Sequence, residues 1–301
     1  RRGRIRSMPT AYTHQLIAED ASGAAKEAGV RLADYYFGAQ GADPLFFYRF
    51  VVMRKNNPGR MLHTCGIYDT FSSMLDYARS RPEALGYALG YVTHCAADSV
   101  FHPYVYYRAY NCGATRLMRS ICHTQDESDF DTHFLARRGT EVNRYRLPYL
   151  RKDIDLGAVS GLYVRVLSDK GVEATEAAVR KAVRGWFRFL FFTTDRHFVR
   201  GTVLRGLGRI SKRFRHLGAL LRRKNIDRSC LNEEHAPWNY RGSDITSTDG
   251  VDELYVKAVE RAKAMTEKFL ECWRSGEPLP REEFCLGLLT GLPEGGGESE
   301  K

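Results

Sequence analysis

The sequence predicts an all-α protein, a single-domain multi-helix bundle of six to nine helices. Three observations carry that expectation. Segments with apolar residues at helical spacing recur along the chain, notably over 156–167 and 251–273. No stretch alternates persuasively between apolar and polar residues, as a half-buried strand would. Hydrophobic residues make up 43% of the 301, too many for a disordered chain and enough for a large core.

The elements follow in order. Residues 1–7 are basic but lead into no apolar h-region, so no secretory signal is read there. Met8-Pro9 looks like a natural start. The domain is placed at 8–293, with 1–7 and the Gly- and Glu-rich 294–301 as flexible ends. A helix is expected over 12–27, with Gly29 as its stop. A short apolar segment spans 32–37, and Gly38-Ala39-Gln40-Gly41-Ala42-Asp43-Pro44 is a turn-rich loop. Asn56-Asn57-Pro58-Gly59 is a second loop. His63 opens a helix over 67–79. Pro82 suits the first turn of a long helix reaching His102. Pro103 disfavours helical geometry at the residue before it, which places His102 at that helix's end. Tyr104, Tyr106, Tyr107 and Tyr110 follow, and the first three are weighted toward the core over a cation-holding role. Helices are expected over 115–136, 156–167, 174–193 and 251–273. The segment over 174–193 is unusually aromatic, and residues 232–250 read as a polar loop.

Charge is uneven. Residues 196–228 carry 11 Lys or Arg against Asp227 as the one acid, which accounts for the whole net charge of +10. Such an arm suits an anionic partner, either lipid headgroups or nucleic acid, or else is a solvated helix face. The adjoining aromatics favour lipid, with Arg222, Arg223 and Lys224 among the cations facing it. No run is long enough to span a membrane. Seven cysteines without paired spacing read as reduced thiols, in a cytoplasmic protein that is peripheral at a membrane.

The chemistry concentrates between His94 and Glu127. His94, Asp98 and His102 are four apart, and His123 and Glu127 repeat the spacing. Residues four apart share a helix face, so donors from two neighbouring helices can meet between them. One such pair would be an ordinary solvated face; two pairs with His102 between them point to a metal site. His14, Asp43 and His63 add suitable donors. His133, His197, His216 and His235 are excluded as ligands, the first because it lies on a different helical face from His123.

The ordered set Tyr12-Thr13-His14, the loop from Gly38 to Pro44, His63, His94-x-x-x-Asp98-x-x-x-His102-Pro103-Tyr104, His123-x-x-x-Glu127, and Leu231-Asn232-Glu233-Glu234-His235 with Pro237-Trp238 resembles the zinc-dependent phospholipase C family, its cytoplasmic-type members most of all. That resemblance covers nearly the whole chain. It implies an all-α bundle of the phospholipase C and single-strand nuclease type, with one zinc on Asp43, His63, His94 and Asp98 and a second on His102, His123 and Glu127. A third zinc would use His14 and a bridging Asp98. Secreted members complete that third site with the amino group of an N-terminal Trp, which has no counterpart here, so two zinc ions are expected and the third site is incomplete. The implied activity is hydrolysis of a phospholipid or related phosphodiester by a zinc-activated water, with Asp43 orienting or deprotonating that water. The alternatives are a single-strand nuclease and a zinc-stabilised protein without catalysis.

Overall fold

The computed structural model describes residues 11–49, 57–113 and 115–293. The expected start at Met8, the ends at 1–7 and 294–301, and Asn56 lie outside the described residues. Within them the protein is all-α, with thirteen α-helices and one small ribbon. The first helices are α1 (Ala11–Asp20), α2 (Gly23–Glu27), α3 (Leu32–Gly38), α4 (Pro58–Thr64) and α5 (Ile67–Ser80). Then come α6 (Leu85–Cys112), α7 (Arg116–Arg137), α8 (Leu156–Asp169) and α9 (Glu176–Thr193). The chain continues through α10 (Val199–Leu207), α11 (Lys212–Ala219), α12 (Val251–Ser275) and α13 (Arg281–Phe284).

The count exceeds the expected six to nine because segments read as loops or as single helices hold short ones. The helix expected over 12–27 is two, α1 and α2. Ser22 donates its hydroxyl to the Glu19 carbonyl at 2.6 Å, a local bond that competes with the helical ladder. Pro58 and Gly59 are not a loop but the first turn of α4, capped by the Asn57 side chain, which accepts from Arg60 N at 3.2 Å. His63 therefore lies inside α4 rather than opening α5. The expected polar loop over 232–250 contains strands β1 (Trp238–Asn239) and β2 (Thr246–Ser247), paired antiparallel. Strands of two residues carry no alternation to read.

Helix α6 is the axis of the molecule. Every residue from Leu85 to Val105 is buried, as suits a helix enclosed on all sides. Around it pack α1, α3, α5, α7 and α12. The α3 contact is close. A Cβ on Gly90 would lie 1.9 Å from the Tyr35 carbonyl oxygen, so only glycine admits that approach. Pro103 does not end α6; the helix continues to Cys112, and His102 is an interior residue. Proline removes the amide that would bond the Ser99 carbonyl. On that side Gly291 packs so closely that a Cβ there would sit 2.7 Å from both Ser99 O and Pro103 Cγ. Cys112 and Cys122 form a disulfide joining the end of α6 to α7, which corrects the expectation of seven reduced thiols. No helix among the described residues is long and apolar enough to cross a membrane.

Candidate metal centre

Five elements bring eight donors together. His14 comes from α1, Asp43 from the 3-10 turn at Asp43–Phe47, and His63 from α4. His94, Asp98 and His102 line one face of α6, and His123 and Glu127 face them from α7. All eight are buried, from 0% exposure at Asp43 to 8% at His14 and His63. They form three groups that could each hold a metal ion: Asp43, His63 and His94; His14, His94 and Asp98; His102, His123 and Glu127. The structure thus brings together every residue singled out in the sequence. Relative to the expected sets, His94 is shared by two groups.

Asp98 is the centre of the arrangement. Its Oδ2 lies 3.3 Å from His94 Nε2 and 3.7 Å from His63 Nε2. Its Oδ1 lies 3.3 Å from His14 Nε2 and 3.8 Å from His102 Nε2. His63 Nε2 is also 3.1 Å from His94 Nε2 and 3.3 Å from Asp43 Oδ1. On the far side, Glu127 Oε1 is 3.1 Å from His123 Nε2 and 3.7 Å from His102 Nε2.

Local structure aims these donors. His63 Nδ1 donates to the Gly59 carbonyl at 2.6 Å and His102 Nδ1 to the Leu288 carbonyl at 2.8 Å. A neutral ring held this way presents a bare Nε2 to the cluster, the usual arrangement around a metal-binding histidine. Gly41, at φ +51°, makes room for His94, since a Cβ there would lie 2.0 Å from the imidazole. Helix α1 is fixed by Asp131 of α7. Its Oδ1 accepts from Tyr12 N at 3.2 Å, Thr13 N at 2.7 Å and Thr13 Oγ1 at 2.9 Å, which sets the orientation of His14 one residue later.

The electrostatics of the metal-free cluster are those of rings and carboxylates neutralising one another. Burial opposes charge on Asp98, yet His102 and His94 hold it well below the usual carboxylate range. Glu127 is lowered to about 2, burial being outweighed by His123 and His102. His102 is raised to about 9, burial being outweighed by Asp98 and Glu127. Burial drives His94 well below its ordinary value, leaving a neutral ring with lone pairs to give, and raises Asp43 to about 6. Several buried atoms have no hydrogen-bond partner among the described residues, including both Asp43 oxygens, Glu127 Oε2 and His123 Nε2. Buried polar atoms are nearly always paired, so a cluster of orphans aimed at common points fits a cation. The donor set is therefore suited to a divalent metal.

The remaining histidines stand apart from the cluster. His133 Nε2 is 2.8 Å from Asp252 Oδ1, His216 Nε2 is 3.5 Å from Ser120 Oγ, and His235 Nδ1 donates to the Thr248 carbonyl at 3.1 Å. Tyr104 is core, with its hydroxyl donating to the Cys230 carbonyl at 3.0 Å. Tyr106 is half-buried, and its ring lies 5.0 Å from that of His123 and 5.6 Å from that of His102. The positioning residues Asp131 and Gly41 were not found by sequence reasoning. Asp131 has one sequence signal, standing four residues after Glu127 and so on the same helical stripe.

No family model matches the chain, and no match to it was found among curated proteins or solved structures.

Proposed function

We propose that the protein is a zinc-dependent phosphodiester hydrolase of the phospholipase C kind. The observation that carries this reading is the spacing of the donors. Ligand atoms at about 2.0–2.1 Å around a tetrahedral zinc stand roughly 3.3 Å from one another. The separations around Asp98, His63 and Glu127 run from 3.1 to 3.8 Å. Imidazole and carboxylate donors suit zinc. One ion would be held by Asp43, His63, His94 and Asp98, and a second by His102, His123 and Glu127. His14 with Asp98 offers a partial third set.

Zinc bound there supplies Lewis acidity toward a phosphoryl oxygen and lowers the pKa of water to about 7. The chain's own residues do the rest. Asp98 offers one oxygen to each side of the cluster and so fixes the spacing between the sets. Asp43, with a second carboxylate oxygen beside the one facing His63, would orient the attacking water or accept its proton. The carbonyls of Gly59 and Leu288 keep His63 and His102 in the tautomer that presents Nε2.

Elemental analysis of chelator-free protein, followed by a panel of phospholipids, soluble phosphodiesters and single-stranded DNA, tests the reading. The expected result is about two zinc ions per chain and headgroup release from phospholipid. Trace metal only would overturn it, and hydrolysis confined to single-stranded DNA would reassign the substrate to nucleic acid.

A further inference from the structure

Ten large hydrophobic side chains stand exposed among the described residues, and six of them fall between positions 191 and 217. They are Phe191, Val199, Val203, Ile210, Phe214 and Leu217, with Ile210 82% and Phe191 80% exposed. Val199 and Val203 are four apart on α10, and Phe214 and Leu217 three apart on α11, so each pair shares a face. The two helices pack against each other as a hairpin, with Ile210 in the turn between them. This is a concentration of apolar surface that a lone soluble domain rarely leaves open.

The same hairpin carries Arg209, Lys212, Arg213 and Arg215, all exposed and without an acid partner among the described residues. The structure sorts the basic arm. Arg222 is buried and paired with Asp131, half-buried Arg223 is paired with Asp129, and Arg228 meets Glu233. Apart from Arg196 and Lys224, the exposed cations of the arm without an acid partner among the described residues thus lie where the exposed apolar side chains are. Four of the six are aliphatic. Nucleic-acid grooves combine cations with aromatic rings on which bases stack, and valine, isoleucine and leucine offer no such platform. Aliphatic side chains flanked by Lys and Arg fit a bilayer interface, where the apolar groups enter the headgroup–acyl boundary and the cations meet anionic lipid.

We propose that α10, the turn holding Ile210, and α11 form a docking surface for an anionic lipid bilayer. The surface rests on exposure and charge and is independent of the hydrolase reading. It adjoins the metal centre through α11, which packs on α7, with His216 beside Ser120 one turn ahead of His123. Docking here places the bilayer on the hairpin whose second helix packs against the helix that carries His123 and Glu127.

The test is co-sedimentation of the full chain with phosphatidylcholine vesicles, with and without phosphatidylserine. Binding is expected to the anionic vesicles and to weaken as salt rises. Val203→Ser with Ile210→Ser should weaken it about tenfold, and Arg209→Glu with Lys212→Glu and Arg213→Glu about a hundredfold. Leu150→Ser, at an exposed residue outside the hairpin, should bind as the parent does, and all variants should keep the parent's melting temperature and metal content. Asp98→Ala should retain vesicle binding, so a failed hydrolase reading would leave this surface standing. Absence of binding to anionic vesicles, or equal loss in Leu150→Ser and the hairpin variants, would overturn the proposal. So would tighter binding to single-stranded DNA that Val203→Ser with Ile210→Ser leaves unchanged.

Discussion

Helix α7 buries four acids within six residues, and they divide by partner. Asp126, Asp129 and Asp131 each meet an arginine: Arg108 Nε at 2.9 Å, Arg223 Nε at 2.8 Å and Arg222 Nε at 2.7 Å. Glu127 instead meets two histidine rings and keeps Oε2 without a partner. The consequence is visible in their charge. Burial raises Asp126 to about 6 even beside Arg108, whereas Glu127 drops to about 2. Burial of a carboxylate therefore does not mark a site. A guanidinium brings only donors and no lone pair to offer a metal, while imidazoles surround the carboxylate with further lone pairs aimed at the same point.

The comparison breaks most sharply at Asp98. Asp98→Ala should strip most of the bound metal and lower phosphodiester hydrolysis by more than the roughly 100-fold that outer-shell partners cost. Metal retained at parental stoichiometry in that variant would show that the histidine-partnered acids hold no ion.

On the arginine side the expected loss is of stability. Arg222→Met leaves Asp131 buried without its counter-charge and should cost about 3–5 kcal/mol, read as a shift in the urea midpoint. Combining it with Asp131→Asn should recover part of that loss, since the uncompensated charge goes too. If the single variant instead lost metal from His102, His123 and Glu127 while keeping its midpoint, the division between the two kinds of acid would fail.

pH sharpens the contrast. In the metal-free protein Glu127 is lowered from 4.5 to about 2, so its stabilisation is present above pH 4.5 and lost as pH falls through 2. His102 is raised from 6.5 to about 9, so its contribution is full below pH 6.5 and lost as pH rises through 9. Zinc needs the same ring unprotonated, and its affinity moves the opposite way. The rise in melting temperature on adding zinc should therefore be larger at pH 8.5 than at pH 6. An equal rise at both would separate His102 from metal binding.

The smallest effect is expected at His133, whose partner Asp252 is partly exposed and shared with Arg137. His133→Ala should change stability by no more than about 1 kcal/mol and leave metal content at the parental value. A loss of metal there would show that histidines outside the cluster matter.

The α6 and α7 donors were legible in the sequence because four-residue spacing is a local property of a helix. The all-α class was legible for the same reason. His14, Asp43 and His63 carried only suitable chemistry and a family resemblance, because their convergence depends on tertiary contacts. Asp131 caps α1 from 118 residues away, and Gly41 yields space to a ring on another helix. The basic arm misled where Arg222 and Arg223 were placed among the cations facing lipid. Arg222 and Arg223 turn inward to acids more than 90 residues earlier, and reversing them would unfold the protein rather than weaken its surface charge. Pro103 misled because the preference it imposes on His102 is local, and in a helix buried on all sides tertiary packing overrides it.

The bond from His102 Nδ1 to the Leu288 carbonyl closes over 186 residues. All eight donors precede residue 128, so a ribosome releases them long before the group that orients one of their rings. At 5–20 residues per second the delay is roughly 10–40 s. During that interval the His102 ring can turn, and the group it shares with His123 and Glu127 is unfinished. The set containing Asp43, His63 and His94 has its ring-orienting carbonyl, that of Gly59, four residues before His63, although the turn carrying Asp43 packs on α9. Of the candidate groups, the one His102 joins is thus the one whose ring orientation waits for the last stretch of the chain.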